Sequence, residues 1–120
     1  MARSNAVFLD FDGVLAQYSG FEGEKKMGCP YPGALDFVNL LMTKKFIPVV
    51  FTTRKPRLVK KWLNENKFPK LMVTNFKFPA KVYIDDRSLQ FTSDYKKLRQ
   101  DLKAFDVHWG DKNNKIFNNL

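Results

Sequence analysis

The residues of this chain that could do chemistry stand at the ends of short apolar runs. Val7-Phe8-Leu9 climbs to Asp10-Phe11-Asp12-Gly13, and Ile47-Pro48-Val49-Val50-Phe51 ends in Thr52-Thr53-Arg54. Leu71-Met72-Val73-Thr74 leads to Asn75 and Lys77, and Val82-Tyr83-Ile84 ends in Asp85-Asp86-Arg87. Side chains alternate along a strand, so Asp10 and Asp12 start on one side with Phe11 opposite. Gly13 then permits a turn that most residues would resist. If the runs are parallel strands, all their polar ends share one edge and four carboxylates converge. At about 4 Å and an effective dielectric near 20, each unrelieved pair repels by roughly 4 kcal/mol. A divalent cation removes that repulsion. Oxygen-only donors point to magnesium, which keeps several waters and also binds phosphate.

The elements that must position these residues follow from periodicity. Val7 to Leu9 lacks polar interruption, as expected of a strand covered on both faces. Gln17 to Pro30 holds Gly20, Gly23 and Gly28 and reads as a loop or small hairpin over the carboxyl edge. Ala34 to Met42 reads as a helix with Leu35, Val38, Leu41 and Met42 on one stripe, and Lys44 and Lys45 suit its negative end. Pro48 is tolerated near a strand start, and Pro56 suits the first turn of a second helix. Leu58, Val59, Trp62 and Leu63 form that helix's inward face, with Lys60, Lys61 and Glu65 outward. Ser93 reads as the N-cap of a last helix carrying Leu98, Leu102 and Phe105 inward. Strands alternating with helices imply an α/β fold of right-handed parallel units. Phe37, Trp62 and Phe105 read as core.

The 120 residues imply one domain, with a core over about residues 6–109 and a frayed Asn- and Lys-rich tail over 110–120. A single cysteine, Cys29, excludes an internal disulfide and fits a reducing, cytoplasmic setting. No signal-peptide pattern and no membrane-length apolar run is present. The net charge of +9 favours anionic partners: nucleotides, phosphorylated metabolites or a nucleic-acid backbone. The charge is scattered along the chain, so a solvated lysine-rich surface is its first reading and nucleic-acid binding its second.

Taken in order, Phe8-Leu9-Asp10-Phe11-Asp12-Gly13-Val14, Val50-Phe51-Thr52-Thr53-Arg54, Lys77 and Tyr83-Ile84-Asp85-Asp86-Arg87 resemble the four motifs of the haloacid dehalogenase-like (HAD) superfamily. The match spans about residues 6–87, and its first and fourth motifs are the specific ones. Pro30-Tyr31-Pro32-Gly33-Ala34 and the stretch from Asn75 to Arg87 further resemble small capless members of bacteria and phages. The resemblance implies a single Rossmann-like domain, a central parallel sheet of at least four strands in the order 4-1-2-3 flanked by helices, and no cap domain. It implies a magnesium-dependent phosphomonoesterase working through an aspartyl-phosphate. Asp10 would be the nucleophile, and Asp12 would protonate the leaving group and later deprotonate water. The Asp10 carboxylate, the Asp12 backbone carbonyl and a motif-four acid would hold Mg²⁺, with Asp85 favoured over Asp86 as the direct ligand. Thr52 and Thr53 would serve the phosphoryl oxygens, and Lys77 would offset charge there. An acid two residues after the nucleophile fits phosphatases rather than dehalogenases.

Several candidates are set aside or left double. Cys29 would need an arginine six positions on to serve a thiol phosphatase, and that position is Leu35. His108, the only histidine, reads as structural or surface. Arg54 and Arg87 read either as substrate contacts or as salt-bridge partners of nearby acids. Lys77 follows the third strand and belongs near the carboxyl edge, whereas Lys81 belongs near the opposite one. Without a cap, the open edge predicts large substrates or shielding by a partner chain, with nucleotides or polynucleotide ends favoured by the charge. The alternatives are a nucleic-acid-binding module without turnover, or a phosphotransferase.

Overall fold

The computed structural model describes residues 5–105. Along the chain run β1 (Ala6–Asp10), α1 (Ala34–Thr43), β2 (Ile47–Phe51), α2 (Pro56–Glu65), β3 (Met72–Thr74), β4 (Val82–Ile84) and α3 (Tyr95–Ala104). The strands form one four-stranded, all-parallel sheet in the order β3-β2-β1-β4. The expected order 4-1-2-3 is the same sheet read from its other edge. Two compact units divide the chain, one through Asp85 with the whole sheet, the other from Asp86 with α3.

β1 is central, and Ala6 through Leu9 are all buried. Alternation sends Val7 and Leu9 to one face and Ala6 and Phe8 to the other. The first face packs with Phe11, Val50 and Val73 against Ala34 and Val38 of α1 and Val59, Trp62 and Leu63 of α2. The second is closed by Val49, Phe51 and Phe78, the last an edge-to-face partner of Phe8 at 4.7 Å between ring centroids. That both helices lie on one face follows from handedness: β1, β2 and β3 step in one direction, so both right-handed crossovers fall on the same side. The chain returns to β4 past Phe78, across the other face.

α1 and α2 end alike. The amides of Lys45 and Phe46 bond the carbonyls of Met42 and Leu41, and those of Lys67 and Phe68 bond Asn64 and Leu63. Each is a Schellman turn whose left-handed residue is a lysine, Lys45 at φ 69° and Lys67 at φ 67°. Phe68 is thereby driven into the core.

Three local expectations are corrected. Phe37 and Met42 are 42% and 41% exposed, because the inward arc of α1 is centred on Ala34, Val38 and Leu41 and these two lie on its flanks. Ser93 is not the cap of α3: it adopts φ 67°, and the Asp94 carboxylate accepts from the Lys97 amide at 3.1 Å. The third strand begins at Met72, with Leu71 buried just before it. Within its own unit, α3 has Leu98 and Leu102 half-buried, and Phe105 just beyond it is half-buried too. His108, Trp109 and residues 110–120 lie outside the described residues. Among the described residues no helix is long and apolar enough to cross a membrane.

Candidate active site

β1 stops at Asp10 because the chain turns at once. The Phe11 carbonyl accepts from the amides of Leu15 and Ala16 at 3.1 and 2.9 Å, closing a tight turn. Gly13 takes φ 93° within it, which an L side chain would resist. Phe11, Leu15 and Ala16 are buried and anchor the turn. The expected hairpin follows. Ala16 bridges Pro30 antiparallel, and Gln17 N and Tyr31 N bond the carbonyls of Cys29 and Leu15. Gly28 is obligatory there, since a Cβ would stand 2.0 Å from the Gln17 carbonyl oxygen.

Register places the acids. Leu9 pairs with Ile84 in the β1–β4 ladder, so Asp10 and Asp85 are the next residues on neighbouring strands. One carboxylate oxygen from each of Asp10, Asp85 and Asp86 lies within 4.8 Å of the others, and all three residues are half-buried. In an octahedral magnesium shell, donors at 2.0–2.1 Å stand about 3 Å apart when adjacent and about 4 Å apart when opposite. An all-oxygen set of this span therefore fits such an ion after small side-chain adjustments.

Parity brings in Lys77. Asp10 shares its face with Phe8, to which Tyr83 is register partner, and Phe51 is the partner of Asp10 itself. The Lys77 ammonium lies 5.4 Å from the Phe51 ring centroid and 5.2 Å from that of Tyr83. Those rings flank β1 on either side, so the ammonium sits over the face from which Asp10 projects. Lys81 starts at the other end, its amide bonded to the Ala6 carbonyl.

Thr52 continues β2 by one residue, its amide bonded to the Thr74 carbonyl at 3.0 Å. It is buried, and its hydroxyl oxygen accepts from the Arg54 amide at 3.0 Å, leaving the hydroxyl proton to donate elsewhere. Thr53 is exposed beside it, as is Arg87 after Asp86.

The fourth expected acid is not one of the three that meet; it is held by Arg54. Arg54 Nε and Nη2 donate to Asp12 Oδ2 and Oδ1 at 2.8 and 3.2 Å. Arg54 is 3% exposed, and its Nη1 donates to the carbonyls of Gly23 and Glu24 at 2.8 and 2.7 Å. Of the two readings of Arg54, the structure takes the salt bridge. The alternation that would align Asp12 with Asp10 ends with β1, because the chain turns from Phe11 onward. Sequence reasoning also missed the ties that hold the hairpin: Glu24 Oε1 accepts from Lys55 N at 2.7 Å, and Trp62 Nε1 donates to the Gly28 carbonyl at 2.9 Å. The only available signal was an arginine next to a buried strand with no acid nearby in sequence.

No family model matches the chain, and no curated protein matches it. Among solved structures, the chain is similar to a conserved protein from Bacteroides thetaiotaomicron. The two share 19% identity and a TM-score of 0.58, over 84% of this chain and 91% of that one. That likeness is one of fold, and it places the chain among small α/β proteins built on a parallel sheet.

Proposed function

We propose that this chain is a magnesium-dependent phosphomonoesterase of the haloacid dehalogenase-like kind. The observation that carries the reading is the meeting of Asp10 with Asp85 and Asp86 at the carboxyl edge, on the sheet face that also holds the Lys77 ammonium between the Phe51 and Tyr83 rings. In an open α/β sheet that edge is where ligands bind. Asp10 would hold the ion with Asp85 and Asp86. Magnesium bound there neutralises charge on the acids and on the phosphoryl group.

An Asp10 carboxylate oxygen attacks phosphorus, and the bond from phosphorus to the leaving oxygen breaks. Asp12 gives that oxygen a proton. Water then attacks the aspartyl-phosphate, Asp12 takes its proton, and the Asp10–phosphorus bond breaks to release phosphate. Arg54 occupies one lone pair on each Asp12 oxygen, which steadies the carboxyl group and leaves the remaining lone pairs for this proton. The Thr52 hydroxyl donates to a phosphoryl oxygen, and Lys77 offsets the charge gathered there.

The test is hydrolysis of p-nitrophenyl phosphate with and without Mg²⁺. Activity should require the ion and fall at least about 10³-fold in Asp10→Asn. An Asp10→Asn variant with full magnesium-dependent activity would refute the assignment.

A further inference from the structure

Between the hairpin and the outer side of α2 runs a groove of about 430 Å³. Lys25, Arg57 and Lys61 line it above a floor of Met27, Leu58 and the edge of Trp62, and Glu65 is its one acid. None of the three cations makes an ion pair among the described residues. Unpaired cations gathered in one groove repel one another, an arrangement that an incoming polyanion relieves. Arg57 and Lys61 stand one helical turn apart and so project together. Lys60 on the same helix, Lys26 and Lys55 are further exposed cations beside these residues in the chain.

The groove also has a direction. Lys25 adjoins Glu24, whose carbonyl accepts from Arg54, and Arg54 holds Asp12. The Phe21 ring, 66% exposed, lies 5.6 Å from the Arg54 guanidinium carbon. The groove is thus tied through Glu24 and Arg54 to Asp12, the acid assigned to the leaving group, and an open aromatic ring lies against the same guanidinium. Phosphates on cations and bases on apolar or aromatic surfaces are how single strands are held without sequence preference.

We propose that this groove binds single-stranded nucleic acid and, resting on the phosphatase reading, presents its terminal phosphate to Asp10. The strand's phosphates lie along Lys25, Arg57 and Lys61, and bases near the end rest on Met27, Leu58 and Phe21. An acidic peptide satisfies the cations but leaves the apolar floor and the Phe21 ring unused.

Fluorescence anisotropy of the full-length protein with a labelled single-stranded 12-mer tests the binding. Each phosphate contact on a single strand adds about 0.7 to the dependence of log affinity on log salt. The triple variant Lys25→Gln/Arg57→Gln/Lys61→Gln should lower that slope by about 2 and weaken binding at low salt by at least tenfold. Phe21→Ala should weaken binding with the slope unchanged. Hydrolysis of p-nitrophenyl phosphate should be the same in both variants as in the parent, while hydrolysis of a terminally phosphorylated 12-mer should fall at least tenfold in kcat/KM. Parent-like binding by the triple variant, no binding by the parent, or equal binding of an oligo-glutamate peptide overturns the groove. If the strand binds as stated but no phosphomonoester is hydrolysed, the groove stands and the phosphatase reading falls.

Discussion

Arg54 and Asp12 form a bidentate ion pair, with Nε to Oδ2 at 2.8 Å and Nη2 to Oδ1 at 3.2 Å. The same guanidinium donates to two hairpin carbonyls, so one side chain ties the turn after β1, the end of β2 and the hairpin together. Its charge is met by Asp12, and four of its five N–H donors are spent on protein atoms.

Removing that side chain leaves Asp12 and the Glu24 carbonyl without their donor, while the Gly23 carbonyl keeps the Lys26 amide. Breaking a buried pair from one side costs about 3–5 kcal/mol, and less where a partner is partly solvated, as Asp12 is. Arg54→Ala should therefore lose about 2–4 kcal/mol in urea unfolding. Arg54→Lys should lose less but not recover the parent, because an ammonium cannot reproduce the fork. Parent stability in Arg54→Ala would show that the network carries no weight.

The acid cluster should couple folding to the ion. A ligand bound only by the folded state at 100 times its Kd adds about 2.7 kcal/mol. Saturating Mg²⁺ should then raise Tm by roughly 10 °C. Asp10→Asn should melt higher than the parent in EDTA, since it removes a like charge within 4.8 Å of two others, and should respond less to Mg²⁺. An equal magnesium shift in both proteins places the ion elsewhere.

Lys77 separates function from stability. Its ammonium lies near two rings at an exposed site, a contact worth about 0.5–1 kcal/mol. Lys77→Met should change unfolding free energy by less than about 1 kcal/mol. Its kcat on p-nitrophenyl phosphate should drop about 10²-fold, the scale of one lost charge-stabilising donor. Undiminished kcat removes Lys77 from the site.

Gly28 is set by space. A Cβ there would meet the Gln17 carbonyl oxygen at 2.0 Å, and that oxygen belongs to the backbone of the facing hairpin arm. Gly28→Ala should cost about 2–4 kcal/mol by chemical denaturation. The neighbouring Cys29→Ala, at an exposed thiol, should stay within about 0.5 kcal/mol of the parent. Equal stability of the two variants would mean that the hairpin arms separate without penalty.

Much of this was legible in the sequence because its causes are local. The β-branched and aromatic run before Asp10, the proline at 56 and the apolar spacing of Val59, Trp62 and Leu63 each act over a few residues, so strands, α2 and the sheet edge could be read directly. The meeting of Asp10, Asp85 and Asp86 was legible for the same reason: each ends or follows an apolar run. Phe37 and Met42 were misplaced because periodicity marks an arc of a helix but not its centre. Which residues centre that arc depends on the sheet, and on β2 above all, against which α1 packs.

Asp12 marks the boundary between the two kinds of information. Sequence determined that an acid stands two residues after Asp10, before a glycine. Only the tertiary structure decided that its carboxylate faces Arg54, because a guanidinium 42 positions away comes within reach once β1 and β2 pair. The groove of Lys25, Arg57 and Lys61 is likewise a product of folding. Charges scattered along the chain become a patch only when the hairpin is fastened to α2 through Trp62 and Gly28.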